Sequence, residues 1–256
     1  MFWVTNYKGS GFFFVLNLPQ QKLINKFILS ARFSIDAGFK VIQIHAAHGY
    51  FLSLLLNPKL NSRKDIYGLK PLSIIEDIVN RIKSIDKNII IDIRVSISDG
   101  INDVSNGINY DPIIDKITES GVDIISLSNG IYDINKLLIY PPKSKGHAPH
   151  FKIASYLAKR YPALLWNVAG NVWDIRKIPK ESPQNLTFGI GRALIADPKL
   201  IEKSLAGNFD KINMCLRRGD CHYYTHGLDH LFCPIEVSGL TLVADITNTK
   251  CNSKSQ

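Results

Sequence analysis

The chain has 256 residues, of which 45% are hydrophobic and 21% charged, and it carries a formal net charge of +9. This balance suits one globular domain of ordinary size, or two small ones, and excludes a fibrous or low-complexity chain. No apolar run reaches the about 20 residues that span a bilayer. The lysines are scattered, without the aromatic–basic interleaving that binds single strands, so neither a membrane nor a nucleic acid is an expected partner.

In chain order, "FFFVLNL" (12–18) reads as a strand, and the run that follows it (18–38) as a helix. The first run is short and lacks a basic leader and a small-residue cleavage site, so a signal peptide is not expected and a cytoplasmic location is. "KVIQIHA" (40–46) is β-branched and predicts a strand. "PLSIIEDIVNRIKSI" (71–85) is apolar at helical spacing behind a proline, so a helix. A strand (89–97), a helix opening on Asp-Pro (111–121) and a strand (122–129) follow. Next come a helix (150–161), a strand (164–170), a strand (186–191) and a helix opening on Asp-Pro (197–207). The last link between strands (171–185) is short and holds two prolines, so its helix is reduced or lost.

Near-continuously apolar strands alternating with helices predict a parallel sheet covered by helices. An open doubly wound sheet and a (β/α)8 TIM-barrel type compete. Strand parity favours the barrel. Asp92, Arg94 and Ser96 share one face of their strand, and Gln43 and His45 share one face of theirs. A polar face ending in His or Arg suits strands that aim functional groups into a barrel mouth, where barrel active sites lie. The first strand-to-helix turn also lacks a Gly-x-Gly-x-x-Gly fingerprint. The count gives about six of the eight β/α units that closure requires. The barrel is therefore expected to be incomplete, covering 1–210, with a Cys/His-containing tail over 211–256.

"AGFKVIQIHAAHGYFLSLLLNPKLNSRKDIYG" (37–68) holds two histidines three residues apart, a tyrosine, and a polar knot at Asn61, Arg63, Asp65 and Tyr67. This stretch resembles the signature of the old yellow enzyme family, the FMN-dependent ene-reductases. The matches are Ala37-Gly38-Phe39, His45, His48-Gly49-Tyr50, Asn57-Pro58, and Asn61, Arg63, Asp65 and Tyr67-Gly68 at the family's spacing. "IRVSISD" (93–99), "ESGVDIISLSNG" (119–130) and "GIGRALIADPKL" (189–200) resemble further segments of the same family. The likeness runs over about residues 20–235.

The resemblance implies an NAD(P)H-dependent flavin oxidoreductase that passes hydride from reduced FMN to an activated C=C bond. His45 and His48 match the pair that binds the substrate oxygen, where two imidazole donors stabilise developing negative charge. Tyr50 matches the proton donor. Arg94 matches the basic residue beside the flavin ring, although Asp92 on the same face offers it an ion pair instead. Ala169, Gly170, Gly191 and Arg192 match the loops that hold the flavin phosphate. Arg63, Asp65 and Tyr67 read as structural, an ion pair and packing that pin the long loop.

The chain departs from the family in three places. Segments matching the family's first strands are missing, its Gly-Gly-Ser is Gly68-Leu69-Lys70 here, and Arg218 stands where one branch carries a cluster-binding cysteine. All four cysteines, Cys215, Cys221, Cys233 and Cys251, lie near the C-terminal end, which argues against a disulfide framework. Three thiols fall one short of the usual iron–sulfur set. Cys215, Cys221 and Cys233 stay weak metal candidates, and His222, His226 and His230 leave a mixed zinc site open; no metal is the expectation. The expected substrate is a small molecule bearing a carbonyl or similar oxygen. The expected partner is a second copy of the chain or a chain that completes the barrel. The competing reading is a catalytically impaired, shortened paralogue acting as a subunit or a small-molecule scaffold.

Overall fold

A computed structural model describes residues 20–58, 60–98, 100, 111–219, 221 and 233–235. The chain divides into two compact units, Met1–Ile190 and Gly191–Gln256. The division precedes the boundary expected after residue 210.

The first unit opens with helix α1 (Gln20–Asp36), which leads through Gly38 into strand β1 (Val41–Ala46). Two short helices follow, α2 (Phe51–Leu56) and α3 (Ile66–Leu69), and then α4 (Ser73–Ile85). Strand β2 (Ile90–Ser96), helix α5 (Asp111–Glu119) and strand β3 (Ile124–Ser128) continue the alternation. Helices α6 (Lys136–Ile139) and α7 (Phe151–Arg160) precede β4 (Leu165–Ala169), and β5 (Leu186–Gly189) closes the series. Between β4 and β5 the structure has a 3-10 turn at Ile175–Lys177 where a barrel helix would stand. This is the reduction that the two prolines predict.

The five strands are all parallel and lie in sequence order, β1-β2-β3-β4-β5. That is the order of consecutive right-handed β/α units in a barrel. Five of the eight strands are thus present among the described residues. The sixth expected strand (12–18) lies outside them.

The sheet's two faces separate as parity requires. Ile44, Ile91, Ile93, Val95, Ile125, Leu127, Trp166 and Val168 are buried on the helix-covered face. They meet Ile74, Ile75, Ile78, Val79 and Ile82 of α4, whose spacing makes one apolar stripe. Ala154, Leu157 and Ala158 of α7 extend the same core. Each fully buried aliphatic side chain contributes about 1.5–3 kcal/mol, so this layer sets the sheet in place.

The opposite, inner face is stratified. At its base Val41, Ile90 and Leu165 are 47%, 39% and 48% exposed. Above them runs a polar chain across all five strands. Gln43 Nε2 donates to Asp92 Oδ2 at 2.5 Å, and Ser126 Oγ donates to the same oxygen at 2.9 Å. Asn167 Nδ2 donates to Ser126 Oγ at 3.2 Å, and Thr187 Oγ1 reaches Asn167 Oδ1 at 3.5 Å. Asp92 meets Ser126 rather than its register partner Ile124, the stagger that tilted barrel strands impose. The top layer, at the C-terminal strand ends, carries His45, Arg94 and Ser128.

The second unit contains helices α8 (Arg192–Ala196) and α9 (Leu200–Leu205). The single helix expected over 197–207 is therefore corrected: it starts later, and Asp197 lies outside it. The Asp197 side chain is buried and accepts hydrogen bonds from Lys203 Nζ at 2.6 Å and from the backbone N–H groups of Lys199 and Asn213 at 3.0 and 2.8 Å. A carboxylate with three such donors pins the turn and the segment after α9 at once.

Candidate active site

β1 ends with His45 on the inner face, and the chain then turns sharply. His48 has φ 63° and Gly49 φ 81°. Two successive residues in the left-handed region bend the loop back over the strand ends. A β-carbon on Gly49 would lie 2.5 Å from Ile131 Cγ2, so only glycine fits. The turn is tied to β2 and to the loop after β3. The His48 N–H donates to Ser96 Oγ at 3.0 Å, and the His48 carbonyl accepts from the Tyr132 N–H at 3.2 Å. Ser53 Oγ accepts from the Gly49 N–H at 3.2 Å.

The long loop after α2 is pinned as the sequence implies. Arg63 is paired with Asp65, and the Asp65 side chain also caps α3 by accepting from the Tyr67 and Gly68 N–H groups. Asn61 Nδ2 donates to the Leu55 and Tyr67 carbonyls at 2.8 and 2.9 Å. A side chain on Gly68 would overlap the Arg63 carbonyl.

This framework brings the predicted residues together. The His45 ring lies 5.1 Å, centroid to centroid, from both the His48 and the Tyr50 rings. Burial, with the nearby Arg94 charge, lowers the pKa of His45 to about 4 and that of His48 to about 3; His45 adds to the effect on His48. Both imidazoles are therefore neutral at pH 7 and each offers one N–H. Burial, then Tyr140 and Asp133, raise the Tyr50 phenol above its ordinary range. Tyr50 is thus a protonated donor.

Arg94 rises from β2 beside them. Its Nη2 donates to Ser128 Oγ at 3.3 Å, while its Nε is buried without a partner. Asp92 Oδ2 is occupied by Gln43 and Ser126 while its Oδ1 is buried without a hydrogen-bond partner, and no carboxylate pairs with Arg94 among the described residues. Burial opposes the Arg94 charge, and Asp92 only partly offsets this. A half-buried guanidinium whose buried Nε–H has no partner calls for an anionic or electron-rich acceptor.

At the end of β4, Ala169 is followed by Gly170 with φ 116°. A β-carbon there would press on His150 Cδ2 at 3.3 Å and Pro141 Cγ at 3.5 Å. The His150 ring is in turn held by Asn129, with Nδ2 to Nδ1 at 2.9 Å. In the second unit, Gly191 precedes α8, and space around its α-carbon is open. Arg192 is the first residue of that helix.

Three residues at the inner rim escaped the sequence reading. Ser128 lies 2.6 Å from His48 Nε2. Tyr132 packs edge-on against His48 at 6.3 Å and near Tyr50 at 6.2 Å, and its hydroxyl is bonded to that of Tyr140. Ser128 was detectable, because it shares parity with Ser126 at the end of a strand. The position of Tyr132 depends on the parallel bridge between His48 and Ile131, which no local pattern announces.

Cys215, Cys221 and Cys233 carry free thiols and line one small cavity of the second unit together with Arg192, Arg217 and Arg218. Among the described residues, no group of three or more His, Cys, Asp or Glu side chains is placed to hold a metal ion. His222, His226, His230 and Cys251 lie outside the described residues.

Residues 20–210 match the family model described as the NADH:flavin oxidoreductase / NADH oxidase family. The chain belongs to this family. An NADPH dehydrogenase of Geobacillus thermodenitrificans (strain NG80-2) is 27% identical over 183 residues, covering 70% of this chain and 52% of the relative. An NADH oxidase of Thermoanaerobacter brockii is 26% identical over 201 residues, covering 77% of this chain and 31% of the relative. The chain thus spans about half, or less, of the length of these family members. Among solved structures, histamine dehydrogenase from Rhizobium sp. 4-9 superposes with a TM-score of 0.70 at 20% identity, over 84% of this chain and 32% of that one. The fold is accordingly of the TIM-barrel type shared by the family, incomplete over the described residues. No helix among the described residues is long and apolar enough to cross a membrane.

Proposed function

We propose that this member of the NADH:flavin oxidoreductase / NADH oxidase family is an NAD(P)H-dependent ene-reductase that uses FMN. The observation that carries the reading is the convergence, on one inner rim, of two neutral imidazoles, a protonated phenol and a half-buried guanidinium hydrogen-bonded to no carboxylate. The donor set fits FMN. Arg94 offers a vacant N–H to the electron-rich edge of the ring system. The Ala169-Gly170 turn is a strand end where a side chain on Gly170 would press on His150 and Pro141, and it is the proposed seat of the flavin phosphate. When bound, FMN supplies the two-electron redox chemistry.

The chain's own residues do the rest. His45 and His48 bind a substrate carbonyl oxygen through N–H donors and stabilise the negative charge that grows there. Neutral imidazoles suit this role, because each keeps one donor and binds no extra proton over the working pH range. The Tyr50 hydroxyl delivers its proton to the α-carbon of the substrate. Tyr132 and Tyr140 wall the same rim.

The test is a fluorescence titration of FMN with the purified chain, followed by NADPH- and NADH-driven reduction of an α,β-unsaturated ketone. Saturable flavin binding and turnover that is lost in Tyr50→Phe support the proposal. A chain that stays colourless with excess FMN and turns over nothing rejects it. A chain that takes up FMN only with a barrel-completing partner moves the activity to the assembled pair.

A further inference from the structure

Ser128 closes β3 with its side chain on the inner face, and it is 5% exposed. Its Oγ sits 2.6 Å from His48 Nε2 and 3.3 Å from Arg94 Nη2. These two contacts narrow where the protons can be. A guanidinium carries donors only, so Ser128 Oγ accepts from Arg94. The serine hydroxyl hydrogen then needs an acceptor, and among the described residues the one in contact is His48 Nε2. An Nε2 that accepts carries no proton, so a neutral His48 holds its proton on Nδ1.

We infer that Ser128 is a positioning residue that passes the hydrogen-bond chain from Arg94 on to His48, fixing this imidazole as its Nδ1–H tautomer and leaving that N–H to the substrate oxygen. The inference rests on the reading of His45 and His48 as the oxygen site. It links two groups that the proposed chemistry uses separately, one at the substrate and one at the cofactor. The surroundings agree. The low pKa of His48, caused by burial and then by Arg94, keeps the ring neutral. The His48 main chain is held by a second hydroxyl: Ser96 Oγ accepts from the His48 N–H at 3.0 Å and donates to the Gly130 carbonyl at 3.1 Å. Ring and backbone are therefore fixed by different serines on neighbouring strands.

The tautomer can be read without turnover. Histidine-15N-labelled chain gives two-bond nitrogen–proton spectra in which protonated and bare ring nitrogens are well separated, and the His48 signals are assigned by their loss in His48→Asn. The expected result is Nδ1–H in the wild type and in Ser128→Thr, which keeps the hydroxyl. In Ser128→Ala, His48 is expected to shift to the Nε2–H form or to a mixture. In FMN-loaded protein, the Kd for a para-substituted phenol should rise about tenfold in Ser128→Ala and stay within about twofold in Ser128→Thr. Wild-type His48 found as Nε2–H overturns the inference, as does a Ser128→Ala spectrum identical to wild type. Failure of the phenol to bind wild-type protein overturns the oxygen-site reading instead, whereas the spectrum judges Ser128 independently.

Discussion

Gly49→Ala tests the turn on which the whole imidazole–phenol cluster depends. Gly49 has φ 81°, and a β-carbon in the left-handed region costs about 1–2 kcal/mol. The added carbon would also meet Ile131 Cγ2 at 2.5 Å, with Ile131 Cβ and Cγ1 at 3.4 and 3.5 Å. Overpacking of this kind costs about 1–3 kcal/mol. The two effects sum to about 2–5 kcal/mol, which lowers Tm by about 4–20 °C at the about 2–4 °C per kcal/mol usual for chains of 150–250 residues. The parts can be separated, because the three nearest atoms all belong to one side chain. Ile131→Ala alone opens a cavity at a buried position and costs about 2–5 kcal/mol. In the double variant the clash disappears while the backbone strain remains. Urea unfolding of the four proteins should therefore show a favourable coupling of about 1–3 kcal/mol. Phenol affinity should fall in Gly49→Ala and partly return in the double variant, since His48 and Tyr50 flank the turn. Additivity within about 0.5 kcal/mol would refute the steric argument.

Four further outcomes are expected. His45→Ala weakens phenolic-ligand binding at least about tenfold, as loss of a charge-stabilising donor should, and leaves flavin content unchanged; equal ligand affinity in a flavin titration counts against the role of His45. Arg94→Gln lowers FMN affinity by about 1.5–3 kcal/mol, the usual strength of a hydrogen bond to a charged group, with fluorescence quenching as the measurement. His45 and His48 are depressed from 6.5 to about 4 and about 3, so the unfolded chain binds more protons between these values and 6.5. Their contribution to stability is complete above pH 6.5 and is lost as pH falls toward the folded values, and His48→Gln should flatten that slope in denaturant titrations across pH 4–7. Asp65→Ala removes both a helix cap and the partner of Arg63 and should cost about 1–2 kcal/mol of stability without changing the affinity for FMN.

Much of this was legible in the residues themselves. Apolar runs marked every strand of the described sheet, because a strand buried beneath helices needs little but aliphatic side chains on its covered face. The two-residue period placed Gln43 with His45 on one face of β1, and Asp92, Arg94 and Ser96 on one face of β2. The paired histidines, Gly49 and the Asn61–Gly68 knot announced a rigid loop, since glycines and capping carboxylates act within a few residues of themselves. Other features were beyond such reasoning. The Asp-Pro at 197–198 looked like a helix start, yet Asp197 is drawn into a turn by Asn213, a partner sixteen residues away. Ser128 meets His48 across eighty residues of chain, and Tyr132 reaches the rim through a single bridge between two loops.

Local periodicity by itself determined which side chains share a face, and so which chemistry the molecule has to hand. The tertiary structure alone decided which of them touch, because the stagger of tilted strands brings distant residues to the same height. The contact between His48 and Ser128 belongs to that second kind of information.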